Sequence, residues 1–546
     1  MKSRIGLILL TTIVAASVAG GFFGGKANAG PPHVEDRTQE LLKTYTEALA
    51  TIEAHFVREV SSEDLVESSI RGMLRTLDPH SSFFSRKDYN RLQEEQQGKY
   101  FGLGITIRPE SPGSGRVVIV EPPAPGTPAY KAGLRAGDVI ARIRGVAVDD
   151  WDINEEVIPN LKGPKGTTID ITVERPGETE PLDFTVERDE IPLHTIKYAF
   201  MVRPEIAYIR IDRFSETTSR ELDGALDRLA KEGLQSLVLD LRDNPGGALS
   251  QAIAVADRFL KRDQVIVSTR SRFGKEHEHT TRREQEYMFP MVVLINRNSA
   301  SASEIVSGAL QDHDRALIVG ETSFGKALVQ TIYPLDGNRG LALTTGKYYT
   351  PSDRLIQREY AGSFWDYYNS RIHRPSEERE RFLTDGGREV FGGGGIMPDV
   401  EVEQDTFSRL SRQIQRNNLF RSFASRLYSG SIESDSDYYA MANGDREKTQ
   451  KQKEALVDQV QITDRILDRF TDYLVENDLE FSEEEFQSDQ EIIRNLLRRE
   501  LLLLLVGDEA SYRIALELDR QVQTAIDSLD QAVVLLKRHQ VAKQIN

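Results

Sequence analysis

The stretch Met291-Val292-Val293-Leu294-Ile295-Asn296-Arg297-Asn298-Ser299-Ala300-Ser301-Ala302-Ser303-Glu304-Ile305-Val306-Ser307-Gly308-Ala309-Leu310-Gln311 reads as an apolar strand running into a helix. Ser301 and Glu304 have capping-box spacing, so on spacing alone Ser301 is the helix N-cap, accepting a hydrogen bond from the backbone of Glu304. A serine at that place also sits at the positive end of a helix. Negative charge developing on a tetrahedral intermediate is stabilised there, and the N–H of Ala302 can point at it. On either side the alternation continues, with strands at 207–211 and 236–241 and a helix at 219–232, giving residues 191–406 an α/β texture.

A hydroxyl is a poor nucleophile near neutral pH and needs a base. Residues 316–320 read as a buried strand, followed by Glu321-Thr322-Ser323-Phe324-Gly325-Lys326-Ala327-Leu328-Val329-Gln330. Lys326 lies far enough beyond Ser301 for a helix, a turn and a returning strand to bring the two to one edge. Gln330 shares the face of Lys326 if this segment is a strand, and its amide oxygen can orient the ammonium. A lysine serves as base only if burial lowers its pKa, which Phe324, Ala327 and Leu328 can provide. Upstream, Leu237-Val238-Leu239-Asp240-Leu241-Arg242-Asp243-Asn244-Pro245-Gly246-Gly247 is a strand ending in a glycine turn. Gly246 or Gly247 could offer a second oxyanion N–H there; a plain strand-end turn would look the same.

Other readings compete for these residues. Residues 320–327 fit a phosphate-binding loop except at Ala327, which lacks the hydroxyl a magnesium ion needs, and the segment after it reads as a strand where that loop should open a helix. Ser323-Phe324-Gly325-Lys326 spells S-x-x-K, but Gly325 opposes the helical turn it requires and no Lys-Thr-Gly follows. His313-Asp314 is the pair available to a Ser/His/Asp enzyme, although helical spacing sends it away from Ser301. His277 and His279 lie in a charged stretch expected to face water and have no nearby carboxylate pair, so no metal and no cofactor is expected.

Outward from this centre the texture changes. Residues 98–190 carry short β-branched runs between Gly and Pro: Ile105-Thr106-Ile107, Val117-Val118-Ile119-Val120, Val139-Ile140 and Ile169-Asp170-Ile171-Thr172-Val173. The domain opens with Phe101-Gly102-Leu103-Gly104-Ile105, whose backbone N–H groups could hold a peptide's terminal carboxylate while the strand edge pairs with the peptide. With Ala132-Gly133-Leu134-Arg135-Ala136-Gly137-Asp138-Val139-Ile140, it resembles a PDZ domain of the bacterial type; the alternative is a small β-barrel whose glycines only make turns. Residues 36–97 read as a helical arm, packed on its own body or on a second copy. Residues 407–546 read as a charged helical extension, with long amphipathic runs at 448–475 and 491–535 and a loose linker at 430–445.

Residues 1–29 read as a secretory signal: Lys2 and Arg4, an apolar run, then Ala27-Asn28-Ala29. Export to the periplasm or another extracytoplasmic space follows, with an uncleaved membrane anchor as the alternative. There is no cysteine, which excludes disulfides, thiolate metal sites and cysteine catalysis. Losing Lys2, Arg4 and Lys26 would take the formal charge from -17 to about -20, which disfavours nucleic acid and anionic lipid and suits protein partners.

Residues 36–403 resemble the carboxyl-terminal processing, or tail-specific, proteases. The resemblance rests on Leu77-Asp78-Pro79-His80-Ser81, the PDZ-like segment, 240–247, 299–311, 322–330 and Gly394-Gly395-Ile396-Met397-Pro398-Asp399. It implies a Ser/Lys dyad with Ser301 as nucleophile, Lys326 as base and Gln330 in support. It also implies substrates recruited through apolar C-termini by the PDZ-like domain, which can gate access to the dyad. Ala327 stands where the family usually has glycine, and residues 360–390 are longer than in the shortest members. The rival from another class is a peptide-binding scaffold with an inert α/β domain.

Overall fold

The computed structural model describes residues 36–110, 114–274, 276–284, 287–360, 367, 379–405, 407–432, 438, 441 and 450–541. The signal reading at 1–29 lies outside them, as does most of the 430–445 linker. Among the described residues no helix is long and apolar enough to cross a membrane. The described fold is a helical N-terminal domain, a PDZ-like β domain, an α/β core and a helical C-terminal region.

The chain divides into two compact units. Among the described residues the first comprises 36–98, 207–401 and 528–541. Its sheet runs through Ile206–Arg210, Ser236–Asp240, Met291–Ile295, Leu317–Gly320 and Val400–Glu401, and the last four strands pair in parallel. All five residues of Met291–Ile295 are buried, as expected of a parallel strand covered on both faces. Every residue of the following helix Ala302–Asp312 is buried too. Its serines are accommodated by local bonds: Ser307 Oγ donates to the Ser303 carbonyl at 2.8 Å, and Ser303 Oγ to the Asn244 carbonyl at 3.0 Å.

A second sheet in this unit is antiparallel. Leu328–Leu335 forms a hairpin with Arg339–Tyr349, which also pairs with Val265–Ser271 and with Ser82–Phe84 of the N-terminal arm. The arm is therefore not wholly helical as its pattern suggests. Helices Asp36–His55, Ser62–Arg75 and Arg86–Gln97 are interrupted by this three-residue strand, which stitches the arm into the core with Ser82 opposite Ala342. The final helix, Leu529–Val541, also belongs here, packing on Met291–Ile295 and Leu317–Gly320.

The second unit comprises residues 99–206 and 402–527. Its β part is an antiparallel sheet in the order Ile107–Pro109, Val117–Ile119, Val139–Ile143, Thr168–Glu174, Leu182–Glu187, around a core that includes Val117, Ile119, Ile140, Ile171 and Val173. Its helical part breaks the two long runs expected from the sequence. Thr463 caps Asp464–Glu476, Ser482 and Glu485 form a capping box at Glu483–Leu505, and the chain restarts at Asp508–Glu517 and Arg520–Asp527. The amphipathic pattern continues across these breaks, so periodicity alone does not reveal them.

The two parts of this unit are bonded together. Arg421 reaches the Val120 carbonyl at 2.5 Å and Glu500 at 3.1 Å, Tyr198 OH donates to Asp508 at 2.6 Å, and Tyr198 stacks on Tyr512 with centroids 3.7 Å apart. Phe470 is fully buried, 5.4 Å from the Phe420 ring and 4.9 Å from that of Phe423. Phe470→Ala should cost the helical region about 3–5 kcal/mol, seen in calorimetry as an early, separate transition; an unchanged melting profile would contradict this packing.

Candidate active site

The turn after Met291–Ile295 is held rigidly. Asn296 N donates to Ser299 Oγ at 2.9 Å, and Ser299 Oγ to the Leu241 carbonyl at 2.8 Å. Ser301 follows with φ 55° and ψ -111°. For a residue with a side chain this conformation costs about 1–3 kcal/mol, and it is the kind of strained strand-to-helix turn that presents a nucleophile. Ser301 and Glu304 take up the expected capping relationship, in which Ser301 N donates to Glu304 Oε2 at 2.8 Å and Glu304 N donates to the Ser301 carbonyl at 2.9 Å. The hydroxyl makes no cap bond.

Glu304 is the residue the sequence undervalued. Fully buried, it accepts from Ser301 N, Lys326 N at 2.9 Å, Gly325 N at 2.6 Å and Ser323 Oγ at 2.6 Å, matching the four lone-pair sites of a carboxylate. Burial pushes its pKa up, and these four donors oppose that shift. Ser301 N and Lys326 N share one oxygen, so they lie within two hydrogen-bond lengths of each other. Tyr348 OH lies against the carbonyls of Lys326 at 2.5 Å and Ser301 at 3.2 Å, and burial raises its pKa well above the usual phenol value, so it stays a donor.

Lys326 is not itself in the strand, which begins at Leu328. Its Nζ nevertheless donates to Gln330 Oε1 at 2.8 Å, across a bulge between Val329 and Gln330. Gln330 Nε2 donates to the His80 carbonyl at 2.6 Å. The lysine pKa is lowered by burial, against the opposing charges of Glu304 and Asp78. Ala327 and Leu328 are buried beside it.

The glycine turn lies against this site. A Cβ on Gly246, at φ +100°, would come within 2.7 Å of the Ala300 carbonyl and 2.8 Å of Ser301 Cβ, so only glycine fits. Asn244, a further residue missed in the sequence, staples the two turns. Its carbonyl accepts from Ala300 N at 3.0 Å, its Oδ1 from Gly246 N at 2.9 Å, and its Nδ2 donates to the Ile211 carbonyl at 2.8 Å. Gly246 N–H is thus engaged, while the N–H groups of Gly247 and Ala302 have no acceptor among the described residues.

The competing readings lose their geometry. His313 lies at the far end of the Ala302–Asp312 helix with Nδ1 2.7 Å from Asp385 and Nε2 2.7 Å from the Val265 carbonyl; although burial opposes it, these two acceptors raise its pKa, and both ring nitrogens are engaged there. Ser323 Oγ donates to Glu304 and accepts from Ile396 N at 2.7 Å. Lys326 leads into a strand, so the phosphate loop is absent. His277 is exposed, but His279 is half-buried, contrary to expectation, with its pKa lowered to about 4 by burial and by His277.

In the second unit, the Leu103 carbonyl accepts from Ala129 N at 2.9 Å. The N–H groups of Leu103, Gly104 and Ile105 have no acceptor among the described residues, and Gly102 ends the preceding strand Lys99–Gly102. Ile107–Pro109, just beyond, is an edge strand of its sheet.

Residues 205–362 match Peptidase family S41, residues 102–186 match the PDZ domain, and residues 26–88 match the activating protease CtpB N-terminal domain. The chain is 40% identical over 332 residues to a carboxy-terminal-processing protease of Bartonella bacilliformis, covering 59% of this chain and 74% of that one. It is 31% identical over 418 residues to the carboxy-terminal processing protease CtpA of Bacillus subtilis, covering 76% and 86%. A carboxyl-terminal-processing protease of Synechocystis is 35% identical over 310 residues, covering 56% and 72%. The chain is therefore a serine-type peptidase with a PDZ domain, and it belongs to the carboxy-terminal processing proteases of family S41.

Proposed function

We propose that the chain is an exported endopeptidase that cleaves proteins near their C-termini with a Ser301/Lys326 dyad. The observation that carries this reading is the half-buried amine of Lys326, its pKa lowered by desolvation, bonded to the Gln330 oxygen and sharing the Glu304 anchor with Ser301. A neutral amine that donates one hydrogen to Gln330 has its lone pair left to take the Ser301 proton. The freed oxygen attacks the peptide carbonyl, forming a C–O bond. The N–H groups of Ala302 and Gly247 then stabilise the oxyanion in the roles first assigned to Ala302 and to Gly246 or Gly247. Collapse expels the amine, which takes the proton back from Lys326, and water releases the acyl group by the same route in reverse.

Substrates are recruited by the PDZ domain. The open N–H groups of 103–105 take the terminal carboxylate, and the Ile107–Pro109 edge takes the peptide as an added strand. Export rests on residues 1–29, and a homo-oligomer through the N-terminal arm on the exposed Leu41, Leu42, Tyr45 and Ile52 of Asp36–His55.

Ser301→Ala and Lys326→Ala should each lower kcat/KM by at least about 10³-fold while the chain stays folded. Loss of activity in Ser303→Ala or Ser323→Ala, with Ser301→Ala still active, would reassign the nucleophile. Amidating the C-terminus of a substrate should weaken its binding to the PDZ domain by about tenfold or more, through loss of charge-assisted hydrogen bonds; equal binding of acid and amide, by calorimetry, would remove the 102–105 loop from recognition.

A further inference from the structure

The turn Leu77-Asp78-Pro79-His80-Ser81, between Ser62–Arg75 and Ser82–Phe84, has no part in the chemistry above, yet it touches the dyad's support. Asp78 Oδ1 accepts from His80 N and Ser81 N, both at 2.7 Å, and Oδ2 accepts from Ser81 Oγ at 2.8 Å. Ser81 Oγ in turn accepts from Thr344 N at 3.2 Å, two residues along the strand from Ala342, which pairs with Ser82. These bonds leave the His80 carbonyl one position, where Gln330 Nε2 meets it at 2.6 Å. A carbonyl only accepts, so the amide must turn its nitrogen to His80 and its oxygen to Lys326 Nζ.

We propose that the 78–81 turn is a positioning element of the dyad: it fixes the orientation of the Gln330 amide and, through it, the direction of the Lys326 lone pair, so that the peptidase site is completed by the N-terminal arm. This rests on the Ser301/Lys326 reading. Without the turn the amide is free to rotate and present its NH₂ group to the lysine, which then has no acceptor to orient it. Misplacement of a reacting group by about 1 Å can cost 10²-fold in rate.

The turn also carries charge. Among the described residues, four groups bear on Lys326: Glu304, Asp78, the His80 imidazole and the Tyr348 hydroxyl at its carbonyl. Burial would raise the Asp78 pKa, but the hydrogen bonds from Ser81 and His80 outweigh it and hold the pKa below the ordinary value, so Asp78 is an anion. His80 is neutral, its pKa lowered to about 4 by burial and by Lys326, and its Nε2 is 2.9 Å from Tyr367 OH. An anionic Asp78 favours the ammonium form of Lys326, so removing its charge must lower the lysine pKa and carry the rising limb of the pH–rate profile to lower pH. A purely structural turn predicts no such movement.

Two variants of the full chain separate geometry from charge, assayed on a fluorogenic peptide with a free apolar C-terminus. Asp78→Ala loses the bonds that shape the turn, and its kcat should fall about 10- to 100-fold with KM close to that of the wild type. Asp78→Asn keeps an oxygen for the two N–H groups and loses the charge, so its kcat/KM limb should move to lower pH. A wild-type kcat in Asp78→Ala, or a limb in Asp78→Asn that stays in place or moves upward, would overturn the proposal. Ser301→Ala is run alongside: if it were active, the dyad reading would fail, whereas inactivity there with an unaltered Asp78 series would sink this proposal alone. Should Asp78→Ala not fold, the limb in Asp78→Asn decides.

Discussion

A carboxylate shut away from water must be satisfied by hydrogen bonds, and the four that Glu304 accepts hold the arrangement around Ser301. They come from two segments, the start of the Ala302–Asp312 helix and the 323–326 loop, so the same group that neutralises its own burial ties the serine turn to the lysine loop. Replacing one oxygen by an NH₂ group would orphan two donors, at about 1–3 kcal/mol each, and would release the loop. The strained Ser301 conformation persists because its neighbours over-determine it: Glu304 on one side, and on the other the Ala300 N–H bonded to the Asn244 carbonyl.

The protonation of Lys326 is a balance rather than a single effect. Burial disfavours the ammonium, while Glu304 and Asp78 favour it. Glu304 cannot be removed without losing the scaffold, so the site keeps a carboxyl group whose influence on Lys326 burial must outweigh. Gln330 suits this setting because an amide oxygen orients the amine without adding a further charge that would hold the proton on it.

The strand-to-helix passage into Ser301, the lysine loop and the PDZ-like sheet were legible because each is written in contiguous residues: an apolar run, a capping spacing, a glycine turn. Glu304 was visible only as a capping residue, since a spacing of three signals a local bond and says nothing of Ser323 or Gly325. Contacts such as Gln330 with His80, 250 residues apart, leave no periodic trace. The Ser82–Phe84 strand was hidden in a helical arm because three residues are too few to alternate recognisably, and the last helix, Leu529–Val541, carries nothing local to show that it packs with Met291–Ile295. The Lys326 to Gln330 contact was anticipated from strand parity, yet Lys326 precedes the strand and a bulge intervenes.

The pH dependence of kcat/KM, compared between wild type and Lys326→Arg, tests the central claim most directly. With Lys326 as base, wild-type activity rises through one ionisation below lysine's ordinary pKa of about 10.4, and Lys326→Arg is inactive at every pH because a guanidinium does not give up its proton. A limb near 6.5 together with substantial activity in Lys326→Arg would contradict it, and would place a histidine where this account places Lys326.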